Sequence, residues 1–149
     1  MIRRSFAFAV FALLPFAGAC DEYLFEQGYT GTYDLSWVNG RRVPAIVLES
    51  TTAKSTYRAE ISFGTLHLRR DDTFSIDFEL RETENGTVTR STRGYSGTYD
   101  RYDRDLYLYF VDPATNRDRT LSGFVRDGYV EILVSGVLEG QVLQYGFER

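Results

Sequence analysis

The chain carries one histidine, one cysteine and one methionine among 149 residues. That leaves almost nothing from which to build a transition-metal cage, a disulfide framework or a histidine-based triad. His67 stands between Leu66 and Leu68, so strand alternation turns it away from the apolar face as a solvated side chain. Serines are present without the Gly-x-Ser-x-Gly turn that exposes a hydrolase nucleophile. Asp77 and Glu79 would sit about 6 to 7 Å apart on one strand face, a spacing that can imitate a glycosidase pair. Both lie on the wet face of the strand, where no burial raises either pKa. Asp100, Asp103 and Asp105 flank one loop, and Asp112, Asn116 and Asp118 span another. Neither has the spacing or central glycine of a calcium loop, and the interleaved Arg101, Arg104, Arg117 and Arg119 predict a surface lattice of ion pairs instead. No catalytic residue, metal site or cofactor is expected, and the chain reads as a non-enzyme.

Two constellations are left. Were Asn85-Gly86 a strict two-residue turn, Phe78 would face Arg93 and Ile76 would face Tyr95. Arg93 would then share the inward parity of Tyr95 and Tyr99 and offer a guanidinium with two hydroxyl donors to a small acidic or phenolic ligand. The cheaper arrangement is a bulge at Gly94, which flips Arg93 outward beside Glu79. On the other face, the same alternation turns Tyr107, Tyr109, Phe124 and Leu133 out of the core on successive strands. They form a candidate contact surface for a protein partner, a second copy or the Tyr23-Leu24-Phe25 segment.

The elements that must position these residues are strands. Phe74, Ile76, Phe78 and Leu80 interleave with Ser75, Asp77, Glu79 and Arg81, and this period of two recurs to the end of the chain. Strands are expected at about 29–38, 43–50, 57–69, 73–83, 88–100, 105–111, 119–126, 129–136 and 141–148. Asn39-Gly40, Asn85-Gly86 and Asp127-Gly128 are hairpin turns that favour type I′ geometry. The first puts Trp37 beside Arg42, Leu35 opposite Pro44 and Tyr33 opposite Ile46, with strand two an edge or bulged at Pro44. The last pairs Arg126 with Tyr129, Val125 with Val130, Gly123 with Ile132 and Leu121 with Val134. Uninterrupted hairpins favour closure, so the fold class is all-β, a single antiparallel up-and-down barrel of about eight to nine strands, with a β-sandwich as the alternative. The inward Phe74, Phe78, Tyr99, Phe110, Tyr145 and Phe147 are large, and a barrel of this size is just wide enough to be filled by such side chains.

The first 19 residues read as a secretory signal, with Arg3 and Arg4 ahead of an apolar run from Phe6 to Phe16 and small residues Ala17-Gly18-Ala19 before Cys20. A lone thiol at the first mature position has no disulfide partner, whereas lipidation uses it fully, so Cys20 is the expected lipid anchor. The other reading is an ordinary cleavage site and a soluble secreted or periplasmic protein. Residues 20–28 then form a tether and 29–149 the barrel domain. Composition agrees with one globular domain, at 43% hydrophobic, 15% aromatic and 26% charged. The formal charge of −4 becomes −6 once Arg3 and Arg4 leave, which disfavours nucleic acid as a partner.

Gly31-Thr32-Tyr33-Asp34-Leu35, Val38-Asn39-Gly40 with Val43-Pro44, Gly64-x-Leu66-x-Leu68, and Asp72-Thr73-Phe74 follow one another in an order that resembles the small bacterial lipocalin-like lipoproteins. Gly97-x-Tyr99, Leu106-x-Leu108, Leu121-x-Gly123 and Tyr145-x-Phe147 continue the pattern through residues 29 to 149. Tyr33 replaces the Trp of the lipocalin Gly-x-Trp motif, and no cysteine pair exists. The resemblance implies a barrel on the periplasm-facing membrane of a bacterial cell envelope, a ligand only by analogy, and, from Asp21, retention at the inner membrane. Beside this, two functions compete: a binder of a small ligand or protein partner, and a structural envelope protein with a filled barrel that acts through its outer wall. A barrel enzyme using a Tyr/Arg site is third.

Overall fold

The computed structural model describes residues 28–135 and 142–149. The described residues form ten strands: β1 (Gly31–Val38), β2 (Arg41–Arg42), β3 (Ala45–Thr51), β4 (Thr56–Leu68), β5 (Thr73–Glu84), β6 (Thr87–Tyr102), β7 (Asp105–Asp112), β8 (Arg117–Arg126), β9 (Tyr129–Ser135) and β10 (Val142–Glu148). From β4 to β10 each strand pairs antiparallel with the next. β10 then pairs with β1, and β1 pairs with β4. The ring is closed by eight strands, with β2 on β1 and β3 on β4 as peripheral additions. This is the up-and-down closure of a lipocalin-like barrel.

Local chemistry accounts for the turns. Asn39 and Gly40, and likewise Asn85 and Gly86, all have positive φ, as type I′ turns require. Asp127-Gly128 differs. Only Gly128 is left-handed there, yet Arg126 still pairs with Tyr129, Val125 with Val130 and Gly123 with Ile132. The first hairpin departs further from expectation. Trp37 pairs with Arg42 as the turn dictates, but Leu35 does not meet Pro44 and Tyr33 does not meet Ile46. Pro44 has no N–H to continue the ladder, so β2 stops after two residues and β3 transfers to β4. The vacated edge of β1 is taken by β4, and Tyr33 faces Leu66.

The inward faces build one core. Tyr33, Phe74, Phe78, Tyr145 and Phe147 are essentially inaccessible, together with aliphatic residues from every strand of the ring except β6, which contributes Tyr99. Ring centroids lie 4.7 Å apart for Phe78 and Tyr145, 4.9 Å for Tyr95 and Phe110, and 6.2 Å for Phe78 and Phe147. Gly64 is part of this fit, because a Cβ there would stand 2.8 Å from Phe78 Cδ1. The interior is thus filled by rings, each contributing about 1.5 to 3 kcal/mol by leaving water.

The two ends differ. At the near end, Gly28 enters and Arg149 finishes, beside loops at 69–72, 103–104 and 127–128. The far end carries turns at 39–40, 52–55, 85–86 and 113–116. β6 pairs with β5 as far as Thr87, but with β7 only from Gly97 onward. The upper parts of β3 to β6 therefore stand past β7 as a wall over the far mouth.

Candidate functional site

The β5–β6 ladder runs without interruption from Thr73 and Thr98 to Glu84 and Thr87. The bulge at Gly94 does not form. Phe78 faces Arg93 and Ile76 faces Tyr95, because the Asn85-Gly86 turn closes tightly and nothing later offsets the register. Arg93 and Tyr95 accordingly share the inward parity at the far mouth, where Arg93 itself remains solvent-exposed. Tyr99 lies one strand turn deeper, toward the near end, and is not gathered with them. Its hydroxyl donates to the Arg69 carbonyl at 2.6 Å. Burial, reinforced by neighbouring Tyr29, raises its pKa.

Near-end tyrosines are committed to sealing the barrel. The Tyr33 hydroxyl donates to the Tyr29 carbonyl. Arg149 lies 4.9 Å over the Tyr33 ring and donates to the Gly28 carbonyl at 3.2 Å and to the Thr30 carbonyl. Gly31-Thr32-Tyr33-Asp34 and Gly97-Thr98-Tyr99-Asp100 have the same sequence and behave alike, since strand parity turns each Tyr inward and each Thr and Asp outward.

At the far mouth the Tyr145 hydroxyl is buried with no hydrogen-bond partner among the described residues. Burial and the adjacent Tyr95 raise its pKa, and the Arg93 charge opposes them. Arg93 acts in the same opposing sense on half-buried Tyr95 and on Tyr57 of β4, so one guanidinium stands within electrostatic reach of tyrosines from three strands. Tyr57 donates to Glu82 Oε1 at 2.5 Å, and that bond together with burial pushes its pKa up to about 12. A cavity of about 430 Å³ follows the inner face of the standing wall past Tyr57, Glu82, Glu84 and Thr89. Sequence reasoning missed Tyr57 and Glu82. Their signal was available in the parity, which continues inward beyond Leu80 while the side chains change from apolar to polar.

The outer-wall candidates form a contiguous surface. Tyr107, Ser122 and Leu133 make one row across β7, β8 and β9, while Phe124 lies one pair nearer the near end. Tyr109 is 39% exposed and Leu133 45%, with Tyr107 and Phe124 partly covered. Two rings not singled out from the sequence extend the patch. Tyr102, 70% exposed, has its centroid 6.5 Å from Tyr107, and Tyr129 lies 6.0 Å from Phe124. Both are outward by the alternation that placed Tyr107 and Phe124.

The ion-pair lattice is largely not formed. Arg119 reaches Asp112 at 3.4 Å, whereas Asp100, Asp103 and Asp105 make no ion pair among the described residues. Arg101 instead lies 4.1 Å over the Tyr29 ring, which competes for its guanidinium. His67 faces outward and shares a 2.9 Å hydrogen bond with Thr32 Oγ1 of β1. Cys20 and the segment before Gly28 lie outside the described residues. Comparison of the chain with protein-family profiles, with curated proteins and with solved structures finds no match. The functional reading therefore rests on this chain's own geometry.

Proposed function

We propose that the protein is a non-catalytic envelope module, exported and held to a membrane through Cys20, whose filled barrel serves as a rigid body and whose outer wall binds a protein partner or a second copy. The observation that carries this reading is the occupancy of the interior. Tyr33, Phe74, Phe78, Tyr145 and Phe147 fill the axis, and the cavity past Tyr57, like a second one lined by Tyr29 among the described residues, borders an end of the barrel. A lipocalin-type ligand needs that axial space. The outer wall has what the interior lacks, an accessible aromatic surface on a rigid sheet, and such residues are frequent hot spots of interfaces.

The test is Tyr107→Ser combined with Tyr109→Ser. Thermal stability is compared with crosslinking and sedimentation in envelope extracts. Association should be lost while the melting temperature changes little, because outward side chains gain little from folding. Retained association would remove this surface from the account. The small-ligand alternative has one observation in its favour, the unpartnered Tyr145 hydroxyl beside Arg93 and Tyr95 at the far mouth. Its occupant would be an acidic or phenolic molecule seated under the standing wall, above the filled part of the barrel.

A further inference from the structure

A cavity of about 600 Å³ opens at the near end, lined by Gly28, Tyr29 and Val125 together with Arg101, Arg104 and Arg126 and two carboxylates, Asp103 and Asp127. Aspartates interleaved with arginines ordinarily pair with them. Here, among the described residues, no carboxylate lies within 4.0 Å of the Arg101, Arg104 or Arg126 guanidinium. Two of the three are braced by rings. Arg101 lies 4.1 Å over Tyr29, and Arg126 lies 5.0 Å over Phe124. Stacking occupies the face of a guanidinium and fixes its direction, while its N–H donors lie in the plane and stay available to an anion. Three guanidinium groups, two of them so braced, around one concave space match the oxygens of a phosphate better than a single carboxylate, since phosphate accepts forked hydrogen bonds from several directions.

We infer that this cavity takes the phosphate of an acidic phospholipid headgroup, so that the near end of the barrel sits on the membrane surface. Position selects the lipid as the source. Gly28 borders the cavity and follows Cys20 by eight residues, a stretch of chain that reaches at most about 27 Å when extended. An acylated Cys20 keeps this end within that distance of a bilayer. Tyr102, the most exposed ring among the described residues, follows Arg101 directly at the same end, where an amphipathic aromatic can lie at headgroup depth. The choice of lipid over free phosphate rests on the anchoring reading above, whereas the anion site itself does not.

The experiment uses the full chain carrying Cys20→Ser, which removes acylation, and sediments it with phosphatidylglycerol-containing or pure phosphatidylcholine vesicles. Binding should favour the acidic vesicles. Arg101→Gln, Arg104→Gln and Arg126→Gln together should weaken it about 100-fold, at roughly fivefold for each basic residue near an anionic surface. The control removes three exposed cations at the far end, Lys54→Gln, Arg41→Gln and Arg90→Gln, with the same loss of charge and a much smaller effect expected. Equal losses in the two triple variants, or no preference for acidic vesicles, would overturn the proposal. Calorimetry with inorganic phosphate separates the sources, because tight phosphate binding without vesicle binding would make this a soluble-anion site and overturn the lipid. Mass spectrometry of Cys20 in the wild-type chain tests the anchor independently. An unacylated cysteine with cavity-dependent vesicle binding intact would remove the anchor and leave the site supported.

Discussion

The two ends of the barrel use inward tyrosines in opposite ways. At the near end Tyr33 and Tyr99 each give their hydroxyl to a backbone carbonyl, and Arg149 closes over the first of them. At the far end Tyr145 is as deeply buried as Tyr33, yet its hydroxyl meets no partner among the described residues. Loop chemistry produces the difference. Residues 28–30 and 69–72 fold inward at the near end and present carbonyls, whereas the far mouth is walled by side chains of strands that have moved past their neighbours. A satisfied hydroxyl stabilises modestly, while an unsatisfied one is a standing cost that persists only where it is over-determined or used.

The joint between the ring and the standing wall is the place to break this contrast hardest. Gly97 is the last β6 residue paired with β7, and a Cβ there would lie 1.9 Å from the Tyr109 carbonyl oxygen. Gly97→Ala should cost about 3 kcal/mol or more, measured by denaturant unfolding, because the obstacle is backbone and cannot rotate away. A near-neutral result would mean that β6 and β7 separate without strain. Next in size is the near-end turn, where Gly128 has φ of +70°. Gly128→Val should cost about 2 kcal/mol, since a β-branched residue is disfavoured in that region. An unchanged melting temperature would show the turn to be elsewhere.

The tyrosines sharpen the comparison directly. Tyr99→Phe strands the Arg69 carbonyl and should cost about 1 to 2 kcal/mol, whereas Tyr145→Phe removes an unpartnered hydroxyl and should be neutral or stabilising. Equal losses would give Tyr145 a hidden acceptor. The smallest effect is in the alkaline titration. Burial raises the pKa of Tyr33, Tyr95, Tyr99 and Tyr145, and the Glu82 bond raises that of Tyr57 to about 12. Their stability contribution is complete below the ordinary tyrosine value of about 10 and is lost as pH rises through the folded values. Tyrosinate absorbance should therefore show a late class of tyrosines that ionises together with unfolding. A single class at the ordinary value would contradict the burial at both ends.

How much of this was legible depends on whether a feature is local. Alternation through Phe74 to Arg81 and the Asn-Gly turns dictate strand faces, and the filled interior follows from the ring sizes at Phe78, Tyr145 and Phe147. The transfer of β3 from β1 to β4 was not legible. Pro44 marks where a ladder must break, but the strand that takes the free edge is chosen by closure of the whole ring. The register of Arg93 departs from the bulge expected at Gly94, because Gly94 permits a bulge without requiring one. The unpaired arginines at the near end were hidden for a similar reason. Interleaved Asp and Arg in sequence suggest ion pairs, and only the three-dimensional arrangement brings the Tyr29 ring to Arg101.

A barrel whose axis is filled by side chains must work through its surfaces. Xenon pressurised into crystals of the protein tests it most directly, because the gas occupies dry apolar voids that other probes miss. A filled axis should show no ordered xenon between Tyr33 and Tyr145. A well-occupied xenon site among Phe74, Phe78 and Phe147 would contradict it and return the interior to the position of ligand-binding site.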